Sequence, residues 1–107
     1  MTVLLELVEV AVSALAGALA PQAIVLFGSA ATGLARENSD LDFLIIAPRS
    51  AGTRKDLLRR ARRAIWDLPA PVDLLLYFPD EIEERRDRLG SVVGEALRTG
   101  RVLHGHV

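Results

Sequence analysis

Leu26-Phe27-Gly28-Ser29, followed after ten residues by Asp40-Leu41-Asp42-Phe43-Leu44-Ile45-Ile46, is the stretch whose reading decides the fold of this chain. It reads as a strand, a tight glycine turn, a short excursion, and a second strand with two carboxylates at its entrance. Side chains on a strand alternate faces, so Asp40 and Asp42 project from one side about 7 Å apart along the chain. Two acids on one face repel each other unless a cation or a shared proton neutralises them. Oxygen ligands of this kind are what Mg²⁺ takes while it also holds phosphate oxygens. Gly28 and Ser29 supply the complementary half: a glycine lets the backbone approach closely, and the first N–H groups of a following helical turn, with a serine hydroxyl, cradle phosphate.

The remaining chain supports an α/β (α+β) domain, a small mixed sheet flanked by helices. Leu4, Leu7, Val8, Ala11, Leu15, Ala18 and Leu19 recur at helical spacing. Pro21 ends that helix, and Ala23 to Phe27 form an apolar run expected of a strand covered on both faces. Ala30 to Gly33 predict one helical turn, and Leu34 to Ser39 a polar loop carrying Arg36. The second strand runs from Leu41 to Ala47, with Phe43 and Ile45 opposite the acids, where the core is expected. Thr53 and Asp56 have capping-box spacing, and Leu57, Leu58, Ala61, Ala64, Ile65 and Leu68 trace a second amphipathic helix. Its arginines, Arg59, Arg60, Arg62 and Arg63, are read as a solvated or partner-docking face, because no aromatic residue interleaves them and the chain is not basic; Trp66 is read as core. Val72 to Phe78 form the third strand, interrupted by Asp73. A buried carboxylate there would be costly, so either a surface edge or a charge partner must explain it, and a metal shared with Asp42 is the preferred explanation. A single helix is expected from Pro79 to Thr99, with Leu89 facing inward, and Arg101 to Leu103 form an edge strand or tail.

Composition narrows the function classes. The chain has 107 residues, expected to form one domain over 1–107; half are hydrophobic, and the formal charge is −1. With no cysteine and only His104 and His106 as histidines, thiolate chemistry is absent and zinc is disfavoured. Glu6 and Glu9 interrupt the apolar N-terminal segment, which argues against a signal peptide or membrane span, so a cytoplasmic protein is expected. An apolar excess in so short a chain implies a face for a partner or for a second copy of itself.

Gly28-Ser29, the spacing to Asp40-Leu41-Asp42 and the later strand residue Asp73 together resemble the nucleotidyltransferase superfamily that includes DNA polymerase beta, and most closely its minimal nucleotidyltransferase branch. The resemblance implies a polymerase beta-like fold. It also implies catalytic, metal-binding roles for Asp40, Asp42 and Asp73 with two Mg²⁺ ions, and nucleotide-binding roles for Gly28, Ser29 and Arg36. The implied reaction moves a nucleoside monophosphate, AMP from ATP, to a hydroxyl of a protein acceptor. Members of this branch typically pair with a helical HEPN toxin, which they bind and modify as its antitoxin, so nucleic acid is not the expected partner. One departure stands out: relatives commonly carry arginine in the turn that here reads Ala30-Ala31-Thr32-Gly33, with Thr32 in the arginine's place. The alternatives are an antitoxin that neutralises by binding alone and a small nucleic-acid-binding module using the arginine face.

Overall fold

A computed structural model describes residues 2–33 and 40–107. The elements follow in the order α1 (Thr2–Leu19), β1 (Ala23–Phe27), α2 (Ser29–Thr32), β2 (Leu41–Ile46), α3 (Arg54–Ala64), β3 (Val72–Tyr77), α4 (Pro79–Arg85), α5 (Val92–Thr99) and β4 (Arg101–Gly105). The strands form one four-stranded sheet in the order β3-β2-β1-β4. It is mixed: β1 runs antiparallel to β2 and β4, while β2 and β3 are parallel, joined through α3 as a parallel pair requires. The expected α/β class and mixed sheet are therefore correct.

Helices cover both faces. On one, α1 and α3 bury Val8, Ala11, Leu15, Leu57 and Ala61 against Ile24, Leu26, Leu41, Phe43 and Ile45. On the other, Ile82 of α4 and Val93 and Ala96 of α5 close over Ala23, Val25, Leu44 and Ile46. The core expected opposite the acids is present. The face that carries Asp42 holds a second core, however, because β2 alternates two apolar rows and not one.

Local chemistry fixes the helix starts. The Thr53 hydroxyl accepts the Asp56 N–H at 3.1 Å, and the Phe78 N–H donates to Glu81 Oε1 at 3.0 Å. Arg54 pairs with Glu81 and donates to the Leu76 carbonyl at 3.1 Å, tying the start of α3 to the end of β3 and to α4. Glu81, at the start of α4, thus serves both capping and pairing.

Three expectations need correction. The helix expected from Pro79 to Thr99 is two helices, with the turn set by Gly90 at φ 78° and by Ser91, whose hydroxyl accepts the Gly94 N–H at 3.1 Å. Leu89, expected inside, is 98% exposed in that turn. Trp66, expected in the core, is 86% exposed: α3 stops at Ala64, and the following turn sends the indole outward while Ile65 and Leu68 stay half-buried. Among the described residues, no helix is long and apolar enough to cross a membrane.

Candidate active site

The ends of β1, β2 and β3 converge where β1 gives way to α2. Register places Phe27 opposite Asp42 and Asp42 opposite Asp73, so the two carboxylates stand side by side on adjacent parallel strands. Asp42 is half-buried at the end of the row that continues into Leu44 and Ile46, whereas Asp73 lies exposed on the edge strand. Burial, the Asp73 charge, a hydrogen bond shared with Asp73 and the charge of Asp40 together push the Asp42 carboxyl above the usual carboxylate range. A cation beside Asp42 would offset the neighbouring negative charge.

Gly28 closes the site from the other side. Its φ of 75° and ψ of −157° lie in a region essentially reserved for glycine. A Cβ built there would stand 2.4 Å from Asp42 Oδ2, so the missing side chain makes room for the carboxylate. Ser29 follows as the first residue of α2, whose turn is closed by Ala31 N–H to Gly28 carbonyl at 3.1 Å. The Thr32 hydroxyl turns back onto the Gly28 and Ser29 carbonyls at 3.4 and 3.3 Å. The two halves of the sequence motif thus meet, and Gly28 does more than permit a turn.

Asp40 precedes β2 and is exposed. Among the described residues no group of three His, Asp or Glu side chains converges on one point. Asp42 and Asp73 form a pair, with Asp40 a flanking charge. The donor set is nonetheless of the right chemistry for a hard divalent cation: Mg²⁺ keeps several waters and binds through one or two carboxylates plus substrate phosphates, not through a full protein cage. Arg36 lies outside the described residues. Arg101 of β4 pairs across from Leu26 and lines a groove with Leu4 and Val8 of α1, on the side of the sheet away from Asp42.

Comparison with known proteins agrees with the fold. A solved structure described as the crystal structure of a toxin-antitoxin with AMP-PNP superimposes with a TM-score of 0.52 at 24% identity, covering 90% of this chain and 72% of that one. At that identity the likeness bears on the fold. No curated protein matches the sequence. The sequence model of the nucleotidyltransferase domain family, however, matches residues 7–99, spanning every element from α1 to α5 that builds the site, and the chain belongs to that family.

Proposed function

We propose that this nucleotidyltransferase transfers AMP from ATP to a hydroxyl of a protein acceptor, as the cytoplasmic antitoxin of a HEPN-type toxin, within a single minimal domain. The observation that carries the reading is the Asp42 and Asp73 pair pressed against Gly28 at the end of β1. The AMP-PNP in the toxin-antitoxin neighbour is consistent with an adenine nucleotide. Gly28 and Ser29 hold the β- and γ-phosphates at the head of α2, and Arg36, four residues beyond Thr32 in the sequence, is the cation assigned to them. This leaves the α-phosphorus facing the carboxylates. Asp42 and Asp40 orient the triphosphate side, and Asp73, on the open edge strand, faces the acceptor and helps take its proton. The acceptor oxygen forms a bond to the α-phosphorus as the bond to pyrophosphate breaks. Divalent cations, two Mg²⁺ in the resembling branch, supply neutralisation of the phosphate and leaving-group charge when bound to these acids.

The exposed apolar side chains Leu5 and Val10 of α1, Leu89 in the turn before α5 and Val92 at its start suit a helical partner or a second copy. The test is incubation with labelled ATP, Mg²⁺ and the protein encoded beside it. The expected result is label on that protein with pyrophosphate released, both lost in Asp42→Asn. Absence of label with either nucleotide or partner bound would reject the transfer reading.

A second reading has one observation in its favour. Thr32 stands where relatives commonly carry arginine, and its hydroxyl is engaged with its own turn. An antitoxin that acts by binding alone would form the complex in the presence of chelator and without turnover.

A further inference from the structure

The exposure of Trp66 removes one of the two reasons for reading the arginine face of α3 as a solvated or partner-docking surface: an aromatic ring does stand beside it, while the formal charge of the chain stays at −1. At 100° per residue, Lys55, Arg59 and Arg62 of α3 fall within about 60° of arc, with Arg63 beside them, and Trp66 follows in the turn that ends the helix. All five are exposed. The Trp66 backbone N–H donates to the Arg63 carbonyl at 3.3 Å, a turn just past the end of α3 that keeps Trp66 close to Arg62, with which it lines one groove. Opposing charge is sparse: Asp56 engages Arg59 at 3.5 Å, and Asp67 follows Trp66 in the turn. Lys55, Arg62 and Arg63 make no ion pair among the described residues. Arg62 and Trp66 also wall a groove of about 270 Å³ that runs to Val72 and Leu74, the neighbours of Asp73 in the edge strand.

A row of cations ending in an outward aromatic ring is how single-stranded nucleic acid is held without sequence preference: the cations track the phosphates and the ring stacks a base. An acidic protein segment would match the cations but leave the indole without a use. We propose that the outer face of α3, with Trp66 and its groove, binds single-stranded RNA or DNA. This rests on charge complementarity and the exposed ring, and on no part of the transferase reading.

Trp66 is the chain's one tryptophan, so its fluorescence reports directly on the site. Titration of the whole protein with an oligouridylate of about 16 nucleotides should quench it, with affinity falling steeply as salt rises. Trp66→Ala should weaken binding of the labelled oligonucleotide about tenfold. The pair Arg62→Glu and Arg63→Glu should abolish it, with melting temperature unchanged because these side chains are exposed. Arg62→Ala alone should lower the salt slope by about 0.7. The proposal is overturned if the oligonucleotide leaves the fluorescence unchanged, or if the charge-reversed and Trp66→Ala proteins bind as the parent does. It is equally overturned if polyglutamate quenches as strongly, or if a duplex of the same length, which offers no splayed base, binds as well.

Discussion

Replacing Gly28 by alanine should damage the protein in two separable ways. The first is conformational: at φ 75° and ψ −157° a Cβ is strained, at a cost of about 1–3 kcal/mol. The second is steric, since the new Cβ falls 2.4 Å from Asp42 Oδ2 and 3.3 Å from its Cγ, so the carboxylate must swing away. In a domain of this size each kcal/mol lowers the melting temperature by about 4–8 °C. Gly28→Ala should therefore melt roughly 5–20 °C below the parent from strain alone. Displacing a catalytic carboxylate by even about 1 Å costs on the order of a hundredfold in rate, so ATP turnover should fall at least that far. Thermal melts and pyrophosphate release measure the two effects. Repeating the substitution in an Asp42→Ala background separates them, because Asp42 Cβ lies 3.6 Å from the added atom, an ordinary contact. The stability loss should shrink there to its backbone part. An equal loss in both backgrounds would refute the proposed contact between Gly28 and Asp42, and a Gly28→Ala protein melting within about 2 °C of the parent would refute the strain.

Asp42→Asn should raise stability in chelator while removing activity. The sign follows from linkage: burial first, then the charge and shared hydrogen bond of Asp73 and the charge of Asp40, raise the folded-state pKa above the unfolded value. The folded state therefore holds the proton more tightly, and stability is lost as pH rises from about 4 through the folded pKa. Like charges directly opposite on neighbouring strands cost about 0.2–1 kcal/mol, so the variant should melt roughly 1–8 °C higher at neutral pH. That advantage should vanish below about pH 4; a variant melting lower than the parent at pH 8 contradicts the reasoning. Asp73→Asn should slow transfer while ATP affinity stays near the parent's, measured by single-turnover kinetics beside nucleotide titration; collapse of affinity at a preserved rate per bound complex would reverse the roles of the two acids. Ser29→Ala should weaken ATP binding by about 1.5–3 kcal/mol, the worth of a hydrogen bond to a charged oxygen. A fall in melting temperature at normal affinity would instead make the serine a helix-start residue.

What the sequence made legible and what it concealed have physical causes that meet at Asp42. Strands were readable because Pro21, Gly28, Pro48 and the Pro69-Ala70-Pro71 segment punctuate short apolar runs, and the motif was readable because its parts are local or sit on such runs. The break between α4 and α5 was not, since Ile82, Leu89, Val92, Val93 and Ala96 keep a nearly helical apolar spacing across it. Gly90 and Ser91 end one helix and start another only because the sheet below rewards a change of direction. An unbroken helix from Pro79 to Thr99 would be about 31 Å long, against about 20 Å for a six-residue strand, and would overshoot the face it must cover. Breaking at Gly90 lets α5 fold back so that Val93 and Ala96 close over Val25 and Leu44, and Gly100 returns the chain to β1 beside Leu26. That second core ends one residue pair short of Asp42. The carboxylate is consequently half-buried and reluctant to ionise beside Asp73, while Asp73 stays open on the edge strand. The difference between the two acids, on which the proposed division of their roles depends, comes from strand order, with Asp42 on an inner strand and Asp73 on the edge, and the Asp-x-Asp pattern does not announce it. An alanine at Gly90, whose φ of 78° disfavours any Cβ, should strain the turn that lets α5 fold back and lower the melting temperature by about 4–8 °C for each kcal/mol of strain; a thermal melt matching the parent's would refute the role given to that glycine.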